Sequence, residues 1–280
     1  MIRRTHRRAC SLGFGDREII RAPAPCAEEP KISSQQPLGL LANEIALHAK
    51  LSEADRQAVL GLPHRVRKLD AGSYIVREGD QPMHCTLLID GFAIRQKVTG
   101  TGARQILAIC IPGDAVDLLN MFLAISDHGV QMLTQGTVAD VPRQALQDLI
   151  LTAPQVGAGI MQMTLIEASI LREWVVNVGR RRARERIAHV LCEFAVRMQE
   201  RGLDGTRSIE LPMTQEQLAD ATGLTSVHVN RVLKGMEADG LISRRRRIVH
   251  FNDWRALQEA GDFSRRYLHI DDEEIVAHAQ

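Results

Sequence analysis

Apolar residues change their spacing several times along this 280-residue chain, and each change marks an element boundary. Residues 1–38 are rich in Arg, Pro, Ser and Gln with little periodicity, which predicts a disordered arm. From Leu38 to about Leu62, Leu41, Ile45, Leu51, Val59 and Leu60 predict one or two short helices, the second capped by Ser52. Between Val66 and Pro142 the pattern is one of short β-prone runs: Ser73–Val76, Thr86–Ile89, Phe92–Ile94, Gln105–Ile109, Val130–Leu133 and Val138–Val141. Glycines 72, 79, 91, 100, 102, 113 and 136 punctuate them, and strands recurring this closely predict a barrel or jelly roll. Such a roll can house a ligand or be filled by its own side chains, and pattern alone favours the filled core.

After Pro142 the period becomes helical. Gln144–Leu151 predicts a short helix, and Ala153-Pro154 opens a long one in which Val156, Ile160, Met163, Ile166, Ile170, Trp174 and Val178 recur every three or four residues. That stripe is longer than one barrel face covers, so it is also expected to pack against its twin in a homodimer. Asn177-Val178-Gly179 is read as a hinge. A further helix is expected from the Arg180–Arg186 cluster to about Glu200, packing through Ile187, Val190, Leu191, Phe194 and Met198; the arginines are either phosphate contacts or a solvated helix start.

The segment Thr214–Met236 has the spacing of two short helices meeting at a tight turn. Thr214 and Gln217 suit a capping box, Gly223 suits the turn, and Thr225 or Ser226 can cap the second helix. Val229, Val232, Leu233 and Met236 then repeat as a buried stripe. Val227, Asn230, Arg231 and Lys234 form the opposite face, presenting a methyl surface, an amide, a guanidinium and an ammonium suited to base edges and phosphates. The β-prone runs Leu241-Ile242 and Ile248–Phe251 flank Ser243–Arg247, predicting a hairpin wing whose turn carries four arginines for phosphate contact.

Net charge is only +1, yet residues 180–250 hold 14 Lys and Arg against 9 Asp and Glu, an excess that sits where DNA would be bound. No apolar run approaches a membrane span, and no hydrophobic segment follows the arginine-rich MIRRTHRRAC start, so the expected location is the cytoplasm with no membrane partner. Five widely spaced cysteines (Cys10, Cys26, Cys85, Cys110 and Cys192) offer no zinc or iron–sulfur pattern. No Ser/His/Asp or H-E-x-x-H constellation occurs, and the carboxylates Glu78, Asp80, Asp114 and Asp117 sit at turns, so no enzyme is expected.

A glycine-punctuated roll, a long helix, a hinge and a winged helix-turn-helix together resemble the Crp/Fnr family of bacterial transcription regulators over roughly residues 40–255. Gly79-Asp80 after Val76-Arg77-Glu78, the turn Pro112-Gly113-Asp114, and Leu224–Arg231 carry the resemblance most specifically. It implies that Arg231 is the arginine that reads guanine, and that Thr225, Ser226 and His228 hold base edges or phosphates. Val227 departs from the glutamate many members carry there, which predicts a thymine-methyl contact and lost cytosine discrimination. The glutamate and Arg-Ser pair of cyclic-AMP-binding members are missing around Gly113–Leu119 and Ala124–Gly129. An anionic phosphate lacking a cation is costly to bury, so cyclic AMP is not expected. Nor is an iron–sulfur cluster, nor haem on His84, His128 or Cys85, each a lone residue in the roll; no cofactor is predicted, and an unidentified small-molecule effector is left open.

The expected fold is α+β: a β-roll or jelly-roll sensor domain (39–152), a dimerisation helix (153–178), a winged helix-turn-helix domain (179–255) and a C-terminal tail (256–280) after the arm. The expected function is a sequence-specific regulator that binds a two-fold symmetric operator as a homodimer and works with RNA polymerase. Its expected DNA-binding residues are Thr225, Ser226, Val227, His228, Asn230, Arg231, Lys234, Arg245 and Arg246 on double-stranded DNA. The alternative is a cyclic-nucleotide-like ligand-binding module without transcriptional output. The recognition face separates the two, since a ligand module has no use for it.

Overall fold

The structure, a computed structural model, describes residues 37–203 and 207–270. The expected arm lies outside the described residues except at its end, where Leu38 is fully buried and its carbonyl accepts from Ala42 N–H. Helix α1 (Gly39–His48) buries Leu41 and Ile45. Helix α2 (Glu53–Leu60) starts as its spacing predicts: Asp55 N–H donates to Ser52 Oγ at 3.1 Å and Ser52 N–H to the Asp55 carboxylate at 3.0 Å.

The roll comprises β1 (Arg65–Leu69), β2 (Tyr74–Val76), β3 (His84–Asp90), β4 (Ala93–Val98), β5 (Arg104–Cys110), β6 (Gly129–Met132) and β7 (Gly136–Pro142). Antiparallel pairing gives two sheets, ordered β1-β7-β3 and β2-β6-β4-β5. Side chains from both, among them Val76, Leu88, Ala93, Val130, Met132 and Val138, share one core, so the roll is filled as its pattern favoured. Strand β1 was not foreseen because Arg-Val-Arg-Lys-Leu hides its period under charge; it pairs only with β7 and keeps most of its side chains in water. For the same reason β4 runs through Arg95, Gln96 and Lys97 well past the expected end at Ile94.

Helix α3 (Arg143–Thr152) leads into α4 (Pro154–Arg180), which continues through the proposed Asn177–Gly179 hinge and breaks at Arg181–Arg182. One helical glycine costs only about 1 kcal/mol, and the Asn177 amide donates to Arg186 O, so the break shifts to extended Arg181. The expected stripe also divides differently. Val156, Ile160 and Trp174 are buried within the protomer and Met163, Ile166, Ile170 and Val178 are half-buried, whereas a second stripe of Met161, Leu165, Ala168 and Val175 faces outward.

Helix α5 (Ala183–Glu200) packs through Ile187, Val190, Leu191 and Phe194 as expected. Then come β8 (Ser208–Glu210), α6 (Gln215–Thr222), α7 (Ser226–Ala238), β9 (Ile242–Arg245), β10 (Ile248–Phe251) and α8 (Trp254–Ala260), with the three strands in the order β8-β10-β9. The expected tail boundary at 256 cuts through α8, whose Leu257 is fully buried, and the fold continues to a 3-10 turn at Arg265–Leu268. The acidic run Asp271–Glu274 lies outside the described residues.

One apolar core spans both halves, joining Ile94, Ile106, Ile109 and Ile111 of the roll to α5, α6 and α7. At its margin Asp114 accepts from Ile111 N–H at 2.9 Å and from Arg197 and Arg201 at 2.7 and 3.0 Å, while Arg197 also donates to Ile109 O at 2.7 Å. Burial alone would raise the Asp114 pKa, but Arg197, Arg201 and the Ile111 N–H hold it below its ordinary 3.8. Asp114→Ala leaves two partly buried guanidinium groups without that partner, so urea unfolding at neutral pH should show a loss of about 3 kcal/mol. Because the folded pKa is depressed, this stability is present above 3.8 and lost as pH falls through the folded value, so the deficit should shrink in acid.

Candidate nucleic-acid interface

The helix pair forms by the local rules its sequence announces. Gln217 N–H donates to Thr214 Oγ1 at 3.2 Å, and Thr214 N–H to the Gln217 side chain at 2.8 Å. Gly223 takes φ 64°, a left-handed conformation that lets Leu224 N–H reach Ala219 O and end α6. Helix α7 is then opened by Thr225, whose Oγ1 accepts from His228 N–H at 3.3 Å.

Val229, Leu233 and Met236 are buried and Val232 is half-buried, so the outer face is the expected one. Val227 is 69% exposed; Thr225, Ser226, Arg231 and Lys234 are exposed, and His228 and Asn230 half-buried. The wing differs from expectation. Arg245 pairs with Ile248, so the turn contains only Arg246 and Arg247, with Arg246 in the left-handed region at φ 57°. Arg244 instead lies on β9 and binds Glu237 at 2.7 Å, tying the wing to α7. Arg245, Arg246 and Arg247 are exposed, and among the described residues neither they nor Arg231 engage in an ion pair or side-chain hydrogen bond.

The cluster before α5 divides: Arg180 and Arg182 are exposed, as in a solvated helix start, while Arg181, Arg184 and Arg186 have partners within the fold. Arg181 is buried between Glu173 and Asp262 at 2.6 and 3.1 Å, and Arg184 pairs with Asp239. Arg186 donates to Arg181 O at 2.8 Å and Thr222 O at 2.9 Å, gripping the end of α6 beside the Gly223 turn. Sequence reading missed this positioning role because the partner carbonyl lies 36 residues away. From the roll, Arg104 binds Asp220 of α6 at 2.7 Å.

Among the described residues, the roll offers a cyclic phosphate no unpaired arginine in two cavities beside it. Its apolar core is filled. A cavity of about 250 Å3 between β5, α1, α4 and α5 is bordered by arginines already paired, Arg95 with Glu167, Arg197 with Asp114, and Arg201 with Asp114 and Glu44. A second, of about 340 Å3 beside β2, β3 and β7, is bordered by Arg67, paired with Asp140, and by Asp80 and Asp117. No described arginine lining either cavity is left unpaired for a phosphate. Cys85, Cys110 and Cys192 are buried; burial pushes the Cys85 thiol up to about 12 and Cys110 to about 11, which disfavours the reactive thiolate. Among the described residues no three His, Cys, Asp or Glu side chains are grouped to hold a metal. Of the candidate carboxylates besides Asp114, Glu78 pairs with Lys97, Asp80 accepts from Arg77 N–H, and Asp117 accepts from Thr86 N–H. No single described helix is long and apolar enough to cross a membrane.

Two family models match the chain, a cyclic nucleotide-binding domain at residues 66–153 and a Crp-like helix-turn-helix domain at 185–260. The transcriptional activator protein FnrL of Cereibacter sphaeroides is 30% identical over 203 residues, covering 71% of this chain and 81% of that protein. The chain belongs to the Crp/Fnr family. Within it, the nitrogen fixation regulation protein FixK of Azorhizobium caulinodans is 26% identical over 80% of this chain and 88% of its own. The fold is that of FixK2 from Bradyrhizobium japonicum, with a TM-score of 0.65 at 22% identity over 72% of this chain and all of the other. These Crp/Fnr relatives are named as regulators rather than enzymes.

Gly223 offers a direct check on how this regulator's helix pair is built. An added Cβ would meet only Arg186 Nη1 at 3.4 Å, so the penalty is one of backbone conformation. Gly223→Ala should cost about 1–2 kcal/mol in thermal unfolding, and Gly223→Asn less, because asparagine tolerates this region.

Proposed function

We propose that this Crp/Fnr transcription regulator binds a two-fold symmetric DNA site as a homodimer, reading base edges through α7 and phosphates through the wing. The carrying observation is the division of its arginines. Those facing the protein interior are paired, while Arg231, Arg245 and Arg246 are exposed without a protein partner among the described residues. Thr225, Ser226, His228, Asn230 and Lys234 supply the remaining polar contacts. A ligand-binding module without transcriptional output would have no use for this face.

The second copy is expected along the outward stripe of α4. Met161, Leu165 and Val175 are 60, 61 and 66% exposed, and with exposed Ala168 and Arg172 between them they complete the four-and-three spacing of a coiled-coil seam. This moves the dimer contact from the expected stripe to the one the protomer leaves uncovered. Binding to DNA places the site of action in the cytoplasm, and the activator relatives support RNA polymerase as the further partner. The effector is unidentified.

Selection of duplexes from a random pool tests the reading: an inverted repeat with half-sites about one helical turn apart is expected, and absence of any enriched site overturns it. Arg231→Ala should weaken specific binding by about 1–3 kcal/mol and relax one position of the site. A thymine should face Val227; a strict C·G pair there rules out the methyl contact. Leu165→Glu should shift the protein to monomer in analytical ultracentrifugation and lower its affinity for the two-fold site.

A further inference from the structure

Beyond residue 260, where the helix-turn-helix family match ends, the chain folds back onto α5. Gly261 permits the approach, since a Cβ there would lie 2.8 Å from His189 N and 3.0 Å from Ala188 C. Phe263 and Tyr267 flank the buried His189 ring, with centroids 5.4 and 5.6 Å away. Tyr267 Oη lies 2.7 Å from Glu193 Oε2 and 3.0 Å from His189 Nε2, and His189 Nδ1 lies 3.2 Å from Gly261 O. The other Glu193 oxygen accepts from Trp174 Nε1 of α4 at 2.9 Å. Arg181, in the break between α4 and α5, is held by Glu173 of α4 and Asp262 of this segment. Residues 261–270 thus touch both helices and the break between them.

A carbonyl can only accept, so the His189–Gly261 bond places a hydrogen on Nδ1. If the ring is neutral, Nε2 accepts from the Tyr267 hydroxyl, whose oxygen must then receive a hydrogen from a protonated Glu193. If the ring is charged, Nε2 donates to Tyr267 and the hydroxyl donates to an ionised Glu193. Both arrangements make all three bonds with the same number of hydrogens. A neutral ring beside an ionised Glu193 has one hydrogen fewer, and one contact then brings two acceptors together.

We propose that residues 261–270 are a strap that sets the joint between the long helix and the DNA-binding domain, closing fully only when His189 and Glu193 share one proton. The surroundings place that proton on Glu193. Burial raises the Glu193 pKa, as does Glu173, against Arg197 and the bonds from Trp174 and Tyr267. Burial and the Arg181 charge lower His189 to about 4 despite Glu173, Gly261 O and Asp262. A folded pKa raised above the ordinary 4.5 gives a stabilisation fully present below 4.5 and lost as pH rises through the folded value. His189, lowered from its ordinary 6.5 to about 4, takes up a proton on opening anywhere below about 6.5, so it opposes the Glu193 contribution between about 4 and 6.5 and the net loosening appears above about 6.5. The strap is therefore a proton-linked clamp that loosens as the pH rises.

The test is hydrogen-exchange protection of the 177–186 amides in the full chain as the pH is raised from about 6.5 to 8. The wild type should lose protection there, beyond the intrinsic rate change, because opening the strap releases the proton that the closed strap holds on Glu193. Tyr267→Phe keeps the ring but removes the relay, and should exchange about tenfold faster at acid pH, where the wild-type chain is complete, with roll amides unchanged. Glu193→Gln keeps an acceptor for Trp174 and donates permanently to Tyr267, so its protection should stay high and independent of pH. Wild-type protection that does not vary with pH, or Glu193→Gln as unprotected as Tyr267→Phe, overturns the proposal.

Discussion

One carboxylate held between two guanidinium groups joins the halves of this molecule. Asp114 closes the Ile111–Asp114 turn through its own backbone bond and faces Arg197 and Arg201 on α5, while Arg197 also reaches the carbonyl of Ile109 at the end of β5. Desolvating these charges is costly unless the geometry satisfies them, and here each has several partners. The apolar core that runs from Ile106 and Ile111 to Leu191 and Leu218 can close only with α5 at this corner. The position of the helix-turn-helix on the roll follows from that placement, reinforced by Arg104 on Asp220.

The electrostatic character of the DNA-binding half comes from which cations are used up. Arg181, Arg184, Arg186 and Arg244 spend their charge or donors inside the fold, on Glu173 and Asp262, Asp239, backbone carbonyls, and Glu237. Arg231, Lys234 and the wing arginines are exposed. A charge count over residues 180–250 finds the excess without saying which members carry it; pairing concentrates the free positive charge on α7 and the wing.

The roll is held by apolar packing, with its bordering arginines already paired. Its core is filled by Val, Leu, Met and Ala side chains, and the arginines beside its two cavities are neutralised by acids on α1, α4, β7 and the Asp114 turn. A second polar cluster lies at the joint that follows the long helix. At that joint Trp174, His189, Glu193 and Tyr267 bury polar groups from three parts of the chain, an arrangement in which small changes in protonation or geometry carry a large energetic consequence.

Local chemistry made much of this legible in sequence. The Thr214 capping box, the Gly223 turn, the Thr225 cap and the stripe at Val229, Leu233 and Met236 depend on neighbours within one or two helical turns, so their spacing alone determined the helix pair and its outward residues. The glycine-punctuated strands determined the roll for the same reason. What only the tertiary structure decided involves partners far apart in the chain: strand β1, stabilised by pairing with β7; the α4 break at Arg181, set by Glu173 and Asp262; and the use of Arg186 on Thr222. The C-terminal strap is of this kind, because Tyr267 finds Glu193 and His189 more than 70 residues earlier. Periodicity reports which face of an element is apolar, but not what will cover it, so the inward and outward stripes of α4 could be told apart only once the roll and α5 had covered one of them.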